Sequence, residues 1–168
     1  KENDILLIAD EVQTGIGRTG TLLASEQFGV FPDITTLAKG LGGGLPIGAV
    51  MVSEKLSNVM GASSHGSTFG GNPVVCAGAN TVLKKLDDTT LKSVLEKGET
   101  IRASLSGCKN VASITGLGMM IGIELKEGTS AEVRAACMEK GLLVLTAKAK
   151  VRLLPPLTIS DEELEKGL

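Results

Sequence analysis

Apolar residues fall along this chain in short runs separated by glycine-rich and polar stretches, and the spacing of each run suggests an element. "ILLIAD", closing on Asp10, is a continuous apolar run ended by an acid, the pattern of a strand buried on both faces as in a parallel sheet. "EVQTGIGRTG" reads as a loop, and "LLASEQFG" as a short helix closed by Gly29. "DITTLAK" and "IGAVMVS" are two further strands, the first rich in β-branched residues. "EKLSNVM" is short and helical, and "SSHGSTFGGNP" is a loop that delivers Pro73 as the first residue of a helix through "VVCAGANTVLKKL". A second helix, "DTTLKSVLEKGETIRASLSG", puts Leu91, Leu95 and Ile101 on one face. Gly98 weakens it by about 1 kcal/mol relative to alanine.

Beyond Gly107 the texture changes. "VASITGLGMMIGIEL" predicts two strands around a glycine turn, and "SAEVRAACMEKG" a helix capped by Ser130 and stopped at Gly141. "LLVLTA" and "VRLLPPLTI" follow as strands, and "SDEELEKGL" begins another helix. The fold class expected is α/β, with a boundary near Ser106: residues 1–106 form part of a larger domain with its connecting helices, and 107–168 a small α+β domain. The chain opens on Lys1 almost at a strand and stops inside a helix, as a fragment would.

Composition narrows the function without naming it. The 168 residues are 42% hydrophobic and 21% charged, which is globular rather than disordered, and the formal net charge of -2, with no basic block, argues against nucleic acid or an anionic membrane as partner. Small molecules or another protein are the expected partners. No apolar run approaches the length that spans a bilayer and no charged leader opens the chain, so a cytoplasmic location is expected. Cys76, Cys108 and Cys137 lack disulfide or metal-site spacing and read as small buried apolar residues, and no metal site is expected.

Candidate chemistry gathers around three places. Gly15, Gly17 and Gly20 have GxGxxG spacing, but Glu11–Thr14 separate them from the strand and no acid follows at the distance that holds a ribose, so a structural loop is the better reading than a dinucleotide site. Asp10 stands at the C-terminal end of its strand, the edge where open parallel sheets hold ligands; it either meets a cation or caps the following loop. Lys39 ends the next strand and is followed by Gly40, Gly42, Gly43 and Gly44, which leave room for a bound molecule. Partial burial there would favour the free amine, a nucleophile toward aldehydes; a surface lysine at a strand end is the plainer alternative. One cofactor accounts for both residues. Pyridoxal phosphate needs an amine for its aldehyde and an acid to keep its ring nitrogen protonated.

Four segments in order, "LLIADEVQTGIGRTG", "PDITTLAKGLGGGLPIGAV", "SHGSTFGGNP" and "VRLLPPLTIS", resemble the signature segments of class III (ornithine/acetylornithine-type) pyridoxal-phosphate aminotransferases. The resemblance implies the C-terminal part of a fold-type I large domain followed by a small α+β domain. It implies that Lys39 carries the cofactor as a Schiff base and that Asp10 meets its pyridine nitrogen. Val12 is implied on the ring face, Gln13 near the phenolic oxygen, and Thr68, with Ser67 beside it, at the phosphate of a neighbouring subunit in a homodimer. Arg152 is implied at the substrate carboxylate, where a planar fork suits the task; His65 carries no implied catalytic role. The reaction implied is transfer from N2-acetylornithine to 2-oxoglutarate, giving N-acetylglutamate 5-semialdehyde and glutamate in arginine biosynthesis. Ornithine, succinylornithine and 4-aminobutyrate are alternative donors, and a catalytically silent domain is the alternative from another class.

Overall fold

The computed structural model describes residues 4–168, so the first three positions of the predicted larger domain lie outside the described residues. The chain divides into two compact units, 1–17 with 21–88, and 18–20 with 89–168.

In the first unit, strands β1 (Ile8–Asp10), β2 (Ile34–Leu37) and β3 (Ala49–Val52) form one sheet in the order β1-β2-β3. β1 runs parallel to β2 with Asp10 opposite Thr36, whereas β3 is antiparallel to β2. The sheet is mixed because the connection from Ala38 to Gly48, which holds only a 3₁₀ turn, is shorter than a parallel crossover needs, and a short return reverses direction. Helix α1 (Pro73–Lys85) begins as expected at Pro73, with the Asn72 side chain accepting from the amides of Val74 and Val75. Its Ala79 joins Ile16, Leu37 and Leu41 in a small core that Leu23, Ile47 and Val82 border. The two segments read as short α-helices are 3₁₀ turns, Ala24–Phe28 and Glu54–Leu56.

β1 is not buried on both faces. It is an edge strand, and Ile5 (71% exposed) and Ile8 (60%) are open to solvent. Burying a strand on both sides takes a layer on each face, and the apolar core of this unit instead centres on Leu37 of β2, Ile16, Leu41 and α1.

The second unit contains helix α2 (Asp88–Ser106) from Thr89 onward, the hairpin β4 (Val111–Leu117) and β5 (Met120–Leu125), helix α3 (Ser130–Glu139), strands β6 (Leu145–Ala147) and β7 (Lys150–Leu153), and helix α4 (Asp161–Gly167). Its antiparallel sheet has the order β4-β5-β7-β6 around a core of Ile101, Ile121, Ile123, Val144, Val151 and Leu164. The two compact units part at Asp88, and α2 contributes Ile101 to the core of the second unit. Of the face expected, Ile101 is buried and Leu91 half-buried, whereas Leu95 is exposed. Gly98 is the close-approach point: a Cβ there would run into the carbonyl of Gly118 in the β4–β5 turn. Thr129, not Ser130, caps α3, since a Thr-x-x-Glu capping box lets Thr129 accept from the Glu132 amide while Glu132 reaches back. Cys108 is exposed and Cys76 and Cys137 are half-buried, so the thiols are less enclosed than expected.

Candidate active site

Parallel pairing of β1 and β2 brings the ends of both strands to one rim of the sheet, with Asp10 at the end of β1 and Lys39 just beyond the end of β2. Asp10 closes β1 and is exposed. Its Oδ1 accepts two hydrogen bonds, from the Thr36 hydroxyl at 2.9 Å and from the Val12 amide at 3.1 Å. Oδ2 has no partner among the described residues. The bond from Val12 is the loop cap expected of Asp10 as one of its two roles, and it leaves Oδ2 without a partner among the described residues.

Lys39 follows β2 by one residue and opens a 3₁₀ turn, Lys39–Gly42, ended by Gly43 in the left-handed conformation. Lys39 itself has φ of +47°, a conformation that costs a side-chain-bearing residue about 1 kcal/mol or more. It is exposed and makes no ion pair among the described residues, so the partial burial expected of its ammonium is not provided by this chain. The glycines after it have a different reason from the expected clearance for a ligand. Their open sides are occupied by the chain's own apolar groups, Ile16 against Gly40, Ile47 against Gly42 and Val82 against Gly43. Only Gly44 has open space beside it.

The segment between the strands is held by a residue that pattern reading passed over. Glu11 is 3% exposed, and its carboxylate accepts from the Thr14 hydroxyl (2.6 Å), the Ala24 amide (2.9 Å) and the Ser25 amide (2.7 Å). Burial works to raise its pKa, and these hydrogen bonds outweigh it and hold the carboxyl below the ordinary glutamate value. Glu11 thus clamps both ends of the turn carrying Val12 and Gln13, which are half-buried. Gly17 and Gly20 in this loop have φ of +81° and +97°, so the GxGxxG spacing answers a backbone requirement, and a five-residue 3₁₀ turn stands where a dinucleotide site needs a helix.

Ser67 and Thr68 lie in an exposed loop before α1. Ser67 lines a depression of about 350 Å³ with Ile47, His65, Phe69, Asn72 and Val75. In the second unit, Arg152 sits half-buried on the inner strand β7, paired with Gly122 on β5 and Leu145 on β6. Arg18 donates to the carbonyl of Pro155, three residues further on, at 2.6 Å, and burial lowers its pKa.

A carboxylate with one oxygen tied and one free, on the same rim as an unpaired amine, suits a ring with a cationic N–H on one side and an aldehyde on the other. Among the described residues no cluster of metal-ligating side chains occurs, and no helix is long and apolar enough to cross a membrane.

The family model described as Aminotransferase class-III matches residues 1–168. The chain belongs to that family. It is 55% identical over 98% of its length to an acetylornithine aminotransferase of Haemophilus ducreyi, of which it covers 42%. The structure of an N-acetylornithine aminotransferase from Stenotrophomonas maltophilia superposes with a TM-score of 0.88 at 35% identity, covering 99% of this chain and 45% of that one. An ornithine aminotransferase of Toxoplasma gondii gives 0.85 at 38% identity, over 99% and 42%. The chain thus spans less than half the length of these class III relatives, and the mixed α/β architecture matches part of a fold-type I aminotransferase.

Proposed function

We propose that this chain is the lysine-bearing part of a pyridoxal-phosphate aminotransferase that moves an amino group from N2-acetylornithine to 2-oxoglutarate, in arginine biosynthesis. The observation that carries the reading is the free Oδ2 of Asp10 on the rim that also bears the unpaired amine of Lys39. Identity of 55% over 98% of this chain to an acetylornithine aminotransferase supports the acetylated donor.

Pyridoxal phosphate supplies an electron sink for the carbanion formed when an amino acid loses its α-type proton. In this reading Lys39 Nζ would hold the cofactor through its aldehyde and would serve as the base for the donor's reacting carbon. Asp10 Oδ2 would accept the ring N–H and hold its positive charge in place without reorganising. Val12 and Gln13 would complete the ring's site. Ser67 and Thr68 offer hydroxyls to the phosphate bound by a second copy in a cytoplasmic homodimer, and Arg152 pairs with the carboxylate of the substrate.

A second reading rests on the exposure of both Asp10 and Lys39: a rim open to water does not favour the chemistry, so the chain alone is a catalytically silent domain. The two readings differ at Lys39: the first requires it to take the cofactor, and the second has it bind weakly or not at all. Incubation with pyridoxal 5'-phosphate near neutral pH, borohydride reduction and peptide mass mapping should find the label at Lys39 above every other lysine, and Lys39→Ala should remove it. Uniform labelling of surface lysines would refute the site.

A further inference from the structure

The aspartate that the proposed function assigns to the ring nitrogen is exposed, and an exposed side chain ordinarily samples several rotamers. Asp10 is different because two donors converge on one of its oxygens. One is local, the amide two residues on. The other, the Thr36 hydroxyl, comes from the neighbouring strand, where Thr36 is the register partner of Asp10.

We propose that Thr36 is a positioning residue that presets Asp10, turning Oδ1 inward and presenting Oδ2 to a cationic ring N–H at the rim; this rests on the function proposed above. Thr36 is suited to the task by its place in the sheet. β2 is the central strand, with Thr36 opposite Asp10 on one side and Val50 on the other, so its backbone is held from both edges. Branching at Cβ restricts χ1, so the backbone itself delivers the hydroxyl. A serine there keeps the donor but loses that restriction, and a valine keeps the shape but loses the donor. With the hydroxyl gone, Asp10 retains only the Val12 amide, a bond that leaves the carboxylate free to rotate away from the rim.

The effect reaches function as preorganisation. Immobilising a side chain at the moment of binding costs about 0.5–1.5 kcal/mol, which corresponds to about 2- to 12-fold in affinity. The test uses the full chain in three forms: unsubstituted, Thr36→Val and Thr36→Ser. Three-bond NMR couplings should give a single Asp10 χ1 rotamer in the unsubstituted chain and in Thr36→Ser, and averaged couplings in Thr36→Val, with circular dichroism confirming an unchanged fold. Pyridoxal 5'-phosphate affinity, read from absorbance, should fall about 2- to 12-fold in Thr36→Val and recover most of the way in Thr36→Ser. A single, unaltered Asp10 rotamer in Thr36→Val overturns the proposal, and so does averaging accompanied by unchanged affinity. Absence of label at Lys39 in the unsubstituted chain is a separate failure. It removes the functional reading, while the couplings still decide what Thr36 does to Asp10.

Discussion

Replacing Glu11 by glutamine keeps the shape of the buried side chain and removes its charge. In the native arrangement Oε2 receives the Thr14 hydroxyl and the Ala24 amide, and Oε1 receives the Ser25 amide. A glutamine oriented with its oxygen toward Thr14 and Ala24 points an NH₂ at the Ser25 N–H, so donor meets donor. One hydrogen bond to a charged acceptor, worth about 1.5–3 kcal/mol, is lost, and the two that remain weaken because their acceptor is neutral. The expected loss is about 2–3 kcal/mol in urea unfolding of the whole chain, a large share of the stability of a small domain. pH dependence gives a second readout with a defined sign. Because the folded carboxyl titrates below its ordinary value, the ionised form contributes stability that is complete above the unfolded-state value and is lost as the pH falls through the folded value. Glu11→Gln should therefore flatten the acid limb of stability against pH as well as lower the plateau. An unfolding midpoint within about 0.3 kcal/mol of the parent, or an unchanged acid limb, would show that the carboxylate is not what clamps this loop.

Two substitutions probe close packing and strain. Gly98→Ala improves helix propensity by about 1 kcal/mol, yet its methyl meets the Gly118 carbonyl, so overpacking of about 1–3 kcal/mol should win and lower the melting temperature; a rise would mean that the hairpin turn yields freely. Lys39→Gly removes a side chain from a backbone at φ +47° and should stabilise the chain by about 1 kcal/mol in urea unfolding while abolishing the label. An equal or lower midpoint would show that the conformation carries no strain.

Local chemistry made much of this protein legible in advance. Proline at the start of α1, the strand–turn–strand of β4 and β5, and Gly29 and Gly141 at the ends of their segments are each dictated by backbone constraints acting within a few residues. Lys39 and Asp10 stood out for a similar reason: a charge at the end of an apolar run is conspicuous wherever the strand goes. The resemblance supplied the family, which the match over the whole chain then established. Thr36 was invisible because it looked like any β-branched strand residue until register placed it opposite Asp10. Glu11 was hidden because its three donors come from residues up to fourteen positions away.

What the order of residues determined by itself, then, were the succession of strands and longer helices and the two charged groups at the ends of the first two strands. Tertiary structure alone decided that β3 runs antiparallel, that α2 lies with the second unit, that the glycines after Lys39 admit Ile16, Ile47 and Val82, and that one oxygen of Asp10 is tied while the other is free. The division has a physical origin. Propensity and capping act over one turn of chain, whereas register, close approach and the direction of a carboxylate are set by groups that meet only after the chain has folded.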